Sequence, residues 1–122
     1  NGDCEDEDNF YPMTAVDANG PVGHLILRYT NEEKTVIRLG FIIVDDTKRG
    51  MGYGKRMIQM AVRYAFDMLK AEKITLGVFD NNPSAYYCYK AVGFQEIMME
   101  KELIFDILGE KWKDIELEMR KR

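Results

Sequence analysis

The sequence predicts an α/β fold of the α+β type, a mixed sheet with helices packed on it. Three observations predict it. Short β-compatible apolar runs separated by turn residues fill the first forty or so positions, the hydrophobic period switches from strand-like to helical after Val44, and a further strand, helix and strand follow. With 122 residues, 46% hydrophobic and 31% charged, the chain has the profile of one globular domain, read as 1–122. A chain of this length buries roughly two-thirds of its unfolded surface, so a core needs neither disulfides nor metal.

Phe10 to Val16 reads as the first strand, closed by the turn residues Asp17-Ala18-Asn19-Gly20-Pro21. Gly23 to Tyr29 (GHLILRY) is the second, and Thr30-Asn31-Glu32-Glu33-Lys34 turns into the third, Thr35 to Val44. These spacings suit an antiparallel meander. The third run is almost wholly apolar, which predicts a central strand covered on both faces, and Gly40 inside it predicts a bulge or a close backbone approach. From Gly52 to Lys70, Met57, Ala61, Tyr64, Ala65 and Met68 recur at helical spacing with Ile58 and Leu69 beside them. That is an amphipathic helix about 28 Å long at 1.5 Å per residue.

Lys73 to Phe79 (KITLGVF) is another strand, stopped by Asp80-Asn81-Asn82-Pro83-Ser84, and Ser84 to Ala91 is a short helix with Gly93 past its end as a cap. After Phe94, apolar residues at Ile97, Met99, Leu103, Phe105 and Ile107 alternate with mostly polar ones. From Trp112 to Met119, Ile115, Leu117 and Met119 alternate with Asp114, Glu116 and Glu118. Two strands joined near Gly109 are expected; a helix over Glu96 to Leu108 competes, because Glu, Lys, Met and Leu favour one.

Seventeen basic and twenty-one acidic residues give a net charge of −4, the wrong sign for a chain held on nucleic acid by its overall field, so no nucleic-acid partner is expected. No apolar run approaches the roughly 18 to 20 residues that span a bilayer and no basic-then-apolar leader is present, which argues against a membrane and against secretion. Cys4 and Cys88 lack zinc-site spacing, so no metal is expected and a reduced, cytoplasmic location is the default. His24, the single histidine, opens an apolar run and reads as a strand residue. Charge is nevertheless unevenly spread. Residues 1 to 8 carry Asp3, Glu5, Asp6, Glu7 and Asp8 and no base, and residues 1–9 read as a flexible acidic leader; Lys48, Arg49, Lys55, Arg56 and Arg63 occupy a stretch without an acid.

The basic stretch contains the densest glycines. Between Val44 and Met57 the chain reads Asp45-Asp46-Thr47-Lys48-Arg49-Gly50-Met51-Gly52-Tyr53-Gly54-Lys55-Arg56. Alternate glycines leave backbone N–H groups uncovered, and they open a helix whose first amides are unpaired and whose dipole favours an anion. Strand, glycine turn, basic residues and helix make a phosphate cradle; the plainer reading is a tight turn. Neither common nucleotide motif fits. G-x-G-x-x-G fails because the sixth place is Lys55 from Gly50 or Met57 from Gly52, and G-x-x-x-x-G-K-[ST] fails because Gly50 stands one residue too close to Gly54.

What fits is R-x-x-G-x-G over Arg49, Gly52 and Gly54, and here the sequence resembles the GNAT superfamily of N-acetyltransferases. A second match follows at the expected distance: Asn82 to Phe94 (NPSAYYCYKAVGF) resembles that family's N-x-x-A-x-x-x-Y-x-x-x-G-F segment. The resemblance covers about residues 36 to 94. It implies a mostly antiparallel twisted sheet whose central strand pair splays to receive the pantetheine arm of acetyl-CoA, the expected co-substrate.

Residue by residue, the resemblance implies that Arg49, Gly50, Gly52, Gly54 and Lys55 hold the pyrophosphate. The backbone of Ile42 and Val44 would contact pantetheine and thioester, with an N–H near Val44 polarising the thioester carbonyl. Asn82 and Ser84 would assist the pantetheine, and Tyr89 would protonate the departing thiolate. Each has a structural counterpart: apolar core for Ile42 and Val44, an Asx turn for Asn82, a core aromatic with a satisfied hydroxyl for Tyr89. Cys88 reads as a small buried hydrophobe rather than a nucleophile. Some members carry a glutamate base six residues before the position of Val44; here that place is Arg38, so the base is unassigned.

The family's usual first strand and helices, which form much of the acceptor pocket, are expected to be missing. Residues 1–9 alone precede the first strand and residue 1 is Asn, so the chain is expected to be a fragment or a reduced member. The resemblance thus implies acetyl transfer from acetyl-CoA to a primary amine, on a small molecule or a peptide, by direct attack in a ternary complex. The acidic leader is expected to draw a cationic acceptor, and a homodimer is allowed. The alternatives are a noncatalytic CoA-binding or interaction module and a nucleotide-phosphate binder unrelated to the family.

Overall fold

In the computed structural model the described residues are 10–18, 20–44, 52–98, 103–107 and 109–121. They form β1 (Phe10–Asp17), β2 (Gly20–Tyr29), β3 (Val36–Val44), α1 (Tyr53–Asp67), β4 (Lys73–Phe79), α2 (Pro83–Val92), β5 (Gln95–Glu96), β6 (Leu103–Ile107) and β7 (Glu110–Arg120). The strands make one sheet in the order β1-β2-β3-β4-β7-β5, with β6 also on β7. Every described pairing is antiparallel except β3 with β4. The expected mixed, mostly antiparallel sheet is present. Among the described residues no helix is long and apolar enough to cross a membrane.

The first hairpin is tighter than the turn residues suggested. Asp17 faces Gly20, whose φ of +119° suits glycine, and β2 therefore starts three residues before Gly23. Pro21 sits opposite Val16 at a register break, a place where the ladder can spare its missing N–H.

β3 departs from expectation in its burial. Ile37 and Leu39 are buried, whereas Val36, Arg38 and Gly40 on the other face are half-buried, because that face carries Arg38 and its ion pair and no helix. The bulge expected at Gly40 is found beside it. The β2–β3 register steps from His24↔Ile43 to Ile26↔Gly40, giving β3 one residue more than β2. No close approach of another chain segment is seen among the described residues, where a Cβ at Gly40 would meet no atom within 4 Å.

α1 is shorter than the predicted Gly52–Lys70, 15 residues and about 22 Å. Gly52, at φ +79°, is its N-cap rather than its first turn. At the other end Lys70 takes φ +60° and the Ala71 N–H donates to the Ala65 carbonyl at 3.0 Å, a left-handed closure wider than an α-turn that turns the chain toward β4. Met68, expected on the apolar stripe, is consequently 68% exposed. Met57, Ile58, Ala61 and Ala65 lie in one core cluster with Leu25, Leu27, Ile37, Leu39, Ile74 and Leu76 of the sheet. The Tyr29 hydroxyl donates to the Leu69 carbonyl at 2.7 Å and ties the end of α1 to β2.

β4 matches its predicted bounds, and α2 exceeds its own by one residue at each end, with Pro83 in the first turn, where its missing N–H costs nothing, and Gly93 at φ +128° as the C-cap. The helix over Glu96 to Leu108 is overturned. Gln95–Glu96 and Leu103–Ile107 pair with β7 instead, because an alternating segment beside a long open strand gains more from the ladder than Glu and Met gain from helix propensity.

Candidate functional site

β3 and β4 are parallel, so their carboxyl ends lie at one end of the sheet, and each runs on into a helix that starts there. The two strands pair only at Val36↔Lys73, Ile37↔Ile74 and Arg38↔Thr75. Beyond these, Leu39–Val44 stays with β2 while Leu76–Phe79 follows β7 through Leu117, Glu116, Ile115 and Asp114. The central pair forks, as expected, and the bulge of β3 falls on the diverging arm.

Of the residues singled out in the sequence, the described ones lie on the strands of this fork or on the two helices that follow them, N-caps included. Ile42 is half-buried against the core and Val44, opposite Gly23, ends β3. Gly52 precedes α1 with no side-chain cap. The first helical bond there is Arg56 N–H to the Gly52 carbonyl at 3.1 Å, so the helix does not consume the amides of Gly54 and Lys55. No carboxylate stands in that turn, Lys55 is exposed, and the Arg56 guanidinium lies 6.0 Å from the Tyr53 ring centroid. Arg49 and Gly50 lie outside the described residues, as do Lys48 and the acidic leader. Asn82 Oδ1 accepts from the Ala85 N–H at 3.3 Å, the local cap that its position before Pro83 suggested, and Ser84 is exposed in the first turn of α2. Burial raises the Cys88 thiol pKa, against the charge of Lys55 on the other helix, which fits an inert thiol.

Three neighbouring tyrosines are sorted by α2. Tyr87 is 68% exposed, and the half-buried Tyr86 donates to Glu96 Oε1 at 2.8 Å. Tyr89 is 7% exposed, with its ring edge-on to Phe94 at 6.4 Å between centroids. Burial, with Cys88 adding to it, pushes the Tyr89 hydroxyl up to about 12. It is a neutral donor across the whole working range.

The face away from α1 and α2 holds a feature that sequence reasoning missed. Arg38 reaches over β4 to Glu116 on β7 with Nη1–Oε1 at 2.6 Å and Nη2–Oε2 at 3.1 Å. A Cβ at Gly77, between them, would stand 2.5 Å from Glu116 Oε2, 2.8 Å from Asp114 Oδ1 and 2.9 Å from Arg38 Nη2. The glycine is what lets three charged ends meet over β4. Lys73–Glu118 at 3.8 Å lies on one side and the Phe79–Trp112 edge contact at 5.3 Å on the other. Burial, then the hydrogen bond and charge of Glu116, push Asp114 up to about 7 against the pull of Arg38. Burial would raise Glu116 too, but its bonds from Arg38 and from the Asp114 proton hold it below its ordinary value. The signals were Arg38 at the expected place of a base, the acidic alternation of β7 and the glycine inside KITLGVF; no spacing joins them, because they lie on three strands.

This cluster makes stability depend on pH. A carboxyl raised on folding adds stability that is fully present below its unfolded value near 3.9, and that contribution is lost as pH rises through about 7. With asparagine in place of Asp114, the side-chain amide keeps donating to Glu116 where the ionised carboxylate cannot. Asp114→Asn is therefore expected to melt higher than the parent at pH 8, on the order of 3 °C, and to show little difference at pH 4, by calorimetry or circular dichroism.

A twisted sheet whose parallel central pair forks, with a glycine-opened helix at the fork, is the architecture of acyl-CoA N-acetyltransferases. The family described as Acetyltransferase (GNAT) matches residues 2–94, and the chain belongs to it. The spermine/spermidine N(1)-acetyltransferase of Bacillus subtilis (strain 168) is 33% identical over 52 residues, 43% of this chain and 34% of that protein. The spermidine N(1)-acetyltransferase of Vibrio cholerae is 36% identical over 55 residues, 45% of this chain and 32% of its own length. The chain thus spans about a third of these curated relatives. A structure of spermidine N-acetyltransferase from Vibrio cholerae in complex with CoA and spermine has a TM-score of 0.82 at 24% identity, covering 98% of this chain and 70% of that one. A dodecameric structure of the enzyme from the same organism gives 0.81 at 24%, covering 98% and 69%. This likeness shows the fold.

Proposed function

We propose that residues 1–122 form one acyltransferase domain that moves an acetyl group from acetyl-CoA to a primary amine, on an acceptor of polyamine type, by direct attack in a ternary complex. The fork carries this reading. Two strand edges face each other in the middle of a sheet, where backbone N–H and C=O groups are ordinarily paired, and an extended arm bearing amides is the kind of ligand that pairs with both.

In this reading the open amides at the start of α1, with Lys55 and Arg49, hold the diphosphate, helped by a helix dipole worth roughly half a charge. The backbone of Ile42 and Val44 contacts the arm, Asn82 and Ser84 border it at the start of α2, and a backbone N–H near Val44 donates to the thioester oxygen as charge develops there. Such a donor is worth about 10²–10³ in rate. Tyr89 donates to the leaving sulfur. Full transfer from a phenol near 12 to a thiolate whose acid is near 8.5 is uphill by roughly 5 kcal/mol. Tyr89 therefore acts chiefly as a hydrogen-bond donor that stabilises the emerging thiolate. The names of the relatives support a polyamine acceptor.

Titration calorimetry with acetyl-CoA, CoA, ATP and NAD tests the cradle, and thiol release with a panel of spermine, spermidine and lysine peptides tests the reaction. Saturable binding of CoA forms alone, with amine-dependent thiol release, is expected. Binding without turnover on any amine would favour the noncatalytic module, and no heat with CoA on folded protein would end the proposal.

A further inference from the structure

The acceptor amine arrives as an ammonium near neutral pH, and no group described so far removes its proton. Arg38 accepts none, since a guanidinium stays protonated. It does something else: its two-point bond commits Glu116 to the charged form. Two carboxyls that share a hydrogen bond cannot both ionise cheaply, so the second becomes the group that exchanges a proton.

That second group is placed at the fork. Asp114 lies opposite Phe79, and its Oδ1 hangs over Gly77, two residues past the last paired position Thr75, where no side chain separates it from the β4 backbone. It is on the face opposite α1 and α2, so an acceptor approaching that face would not have to cross either helix. Among the described residues the charged groups that face Asp114 are Glu116 on its own strand and Arg38 from β3. Gly77 and Phe79 from β4 bring no charge, and the residue paired with it on β6 is Leu103. With Asp114 ionised the three groups sum to −1, which favours a cation.

Resting on the acetyl transfer above, we propose that Asp114 takes the proton of the acceptor ammonium at the fork, positioned by the Arg38–Glu116 ion pair. The ammonium gives one proton to the Asp114 carboxylate, which frees the nitrogen lone pair. The N–C bond forms at the thioester carbon and the C–S bond breaks. The second nitrogen proton passes to water, and the thiolate, stabilised by a hydrogen bond from the Tyr89 hydroxyl, takes its proton from solvent. Ammonium and thioester thus yield amide, thiol and one proton, which Asp114 returns to solvent.

The test is kcat/KM for one amine from pH 5.5 to 9 in the parent, Asp114→Asn, Asp114→Glu and Gly77→Ala, with acetyl-CoA affinity measured in each. Ionisation of the amine raises every profile alike, so the ratio of parent to Asp114→Asn isolates the carboxylate. That ratio is expected to climb to about 100-fold or more and level off above pH 7, with acetyl-CoA affinity unchanged. Asp114→Glu is expected to recover part of the rate. Gly77→Ala pushes aside only the flexible ends of three side chains, so it should fold and shift the pH at which the ratio levels. A ratio that is flat with pH, or within about threefold of one, would overturn the assignment while parent turnover left acetyl transfer standing. A parent that binds acetyl-CoA but releases no thiol with any amine would overturn both.

Discussion

Tyr89→Phe is expected to lower amine-dependent thiol release about 100-fold while acetyl-CoA affinity and melting temperature barely move. The substitution removes one oxygen from a side chain that is 7% exposed and packed edge-on to Phe94, so the shape of the core is kept. What is lost, on the reaction proposed above, is the hydrogen-bond donor to the leaving sulfur. Because burial holds the hydroxyl near 12, the parent should show no alkaline loss of activity from this group below about pH 10, and a break there would mean that the hydroxyl is not in this environment. Thiol release within about threefold of the parent would remove Tyr89 from the reaction and leave its burial as packing alone. Tyr87→Phe, at a side chain 68% exposed on the same helix, is the control expected to change nothing.

Much of the fold was legible because its signals are local. The turn at Lys34, the period switch after Val44, and the Asn82-Pro83 start and Gly93 end of α2 each follow from a few adjacent residues. Element ends were read less well where backbone conformation decides them: Lys70 in a left-handed turn stops α1 before Met68, and Gly20 tightens the first hairpin. The candidate site divides in the same way. The proposed cradle and Tyr89 stand on contiguous motifs, so spacing alone can nominate them. The Arg38–Glu116–Asp114 cluster brings together positions up to 78 residues apart through the order β3-β4-β7. Alternation in β7 marked Asp114 and Glu116 as one polar face. Only the sheet shows that this face meets Arg38 rather than water alone.

Gly52→Val should weaken acetyl-CoA binding by 10- to 100-fold, the larger effect on the cradle. Gly52 holds φ +79°, where a β-branched residue is strained by roughly 1–2 kcal/mol or more, although a Cβ there would meet nothing within 4 Å among the described residues. The backbone-angle cost stands whatever the packing, and rotating the adjoining peptide units to relieve it would turn the amides of Gly54 and Lys55 from their proposed ligand. Gly52→Ala should weaken binding less, since alanine tolerates the left-handed region better than valine. Lys55→Ala should reduce affinity only about threefold to fivefold and flatten its salt dependence, because an exposed ammonium contributes a screened charge while the amides contribute directed bonds. Calorimetry at two salt concentrations, with circular dichroism to confirm that α1 is retained, separates these effects. Unchanged affinity in Gly52→Val, with α1 intact, would place the diphosphate away from the start of α1.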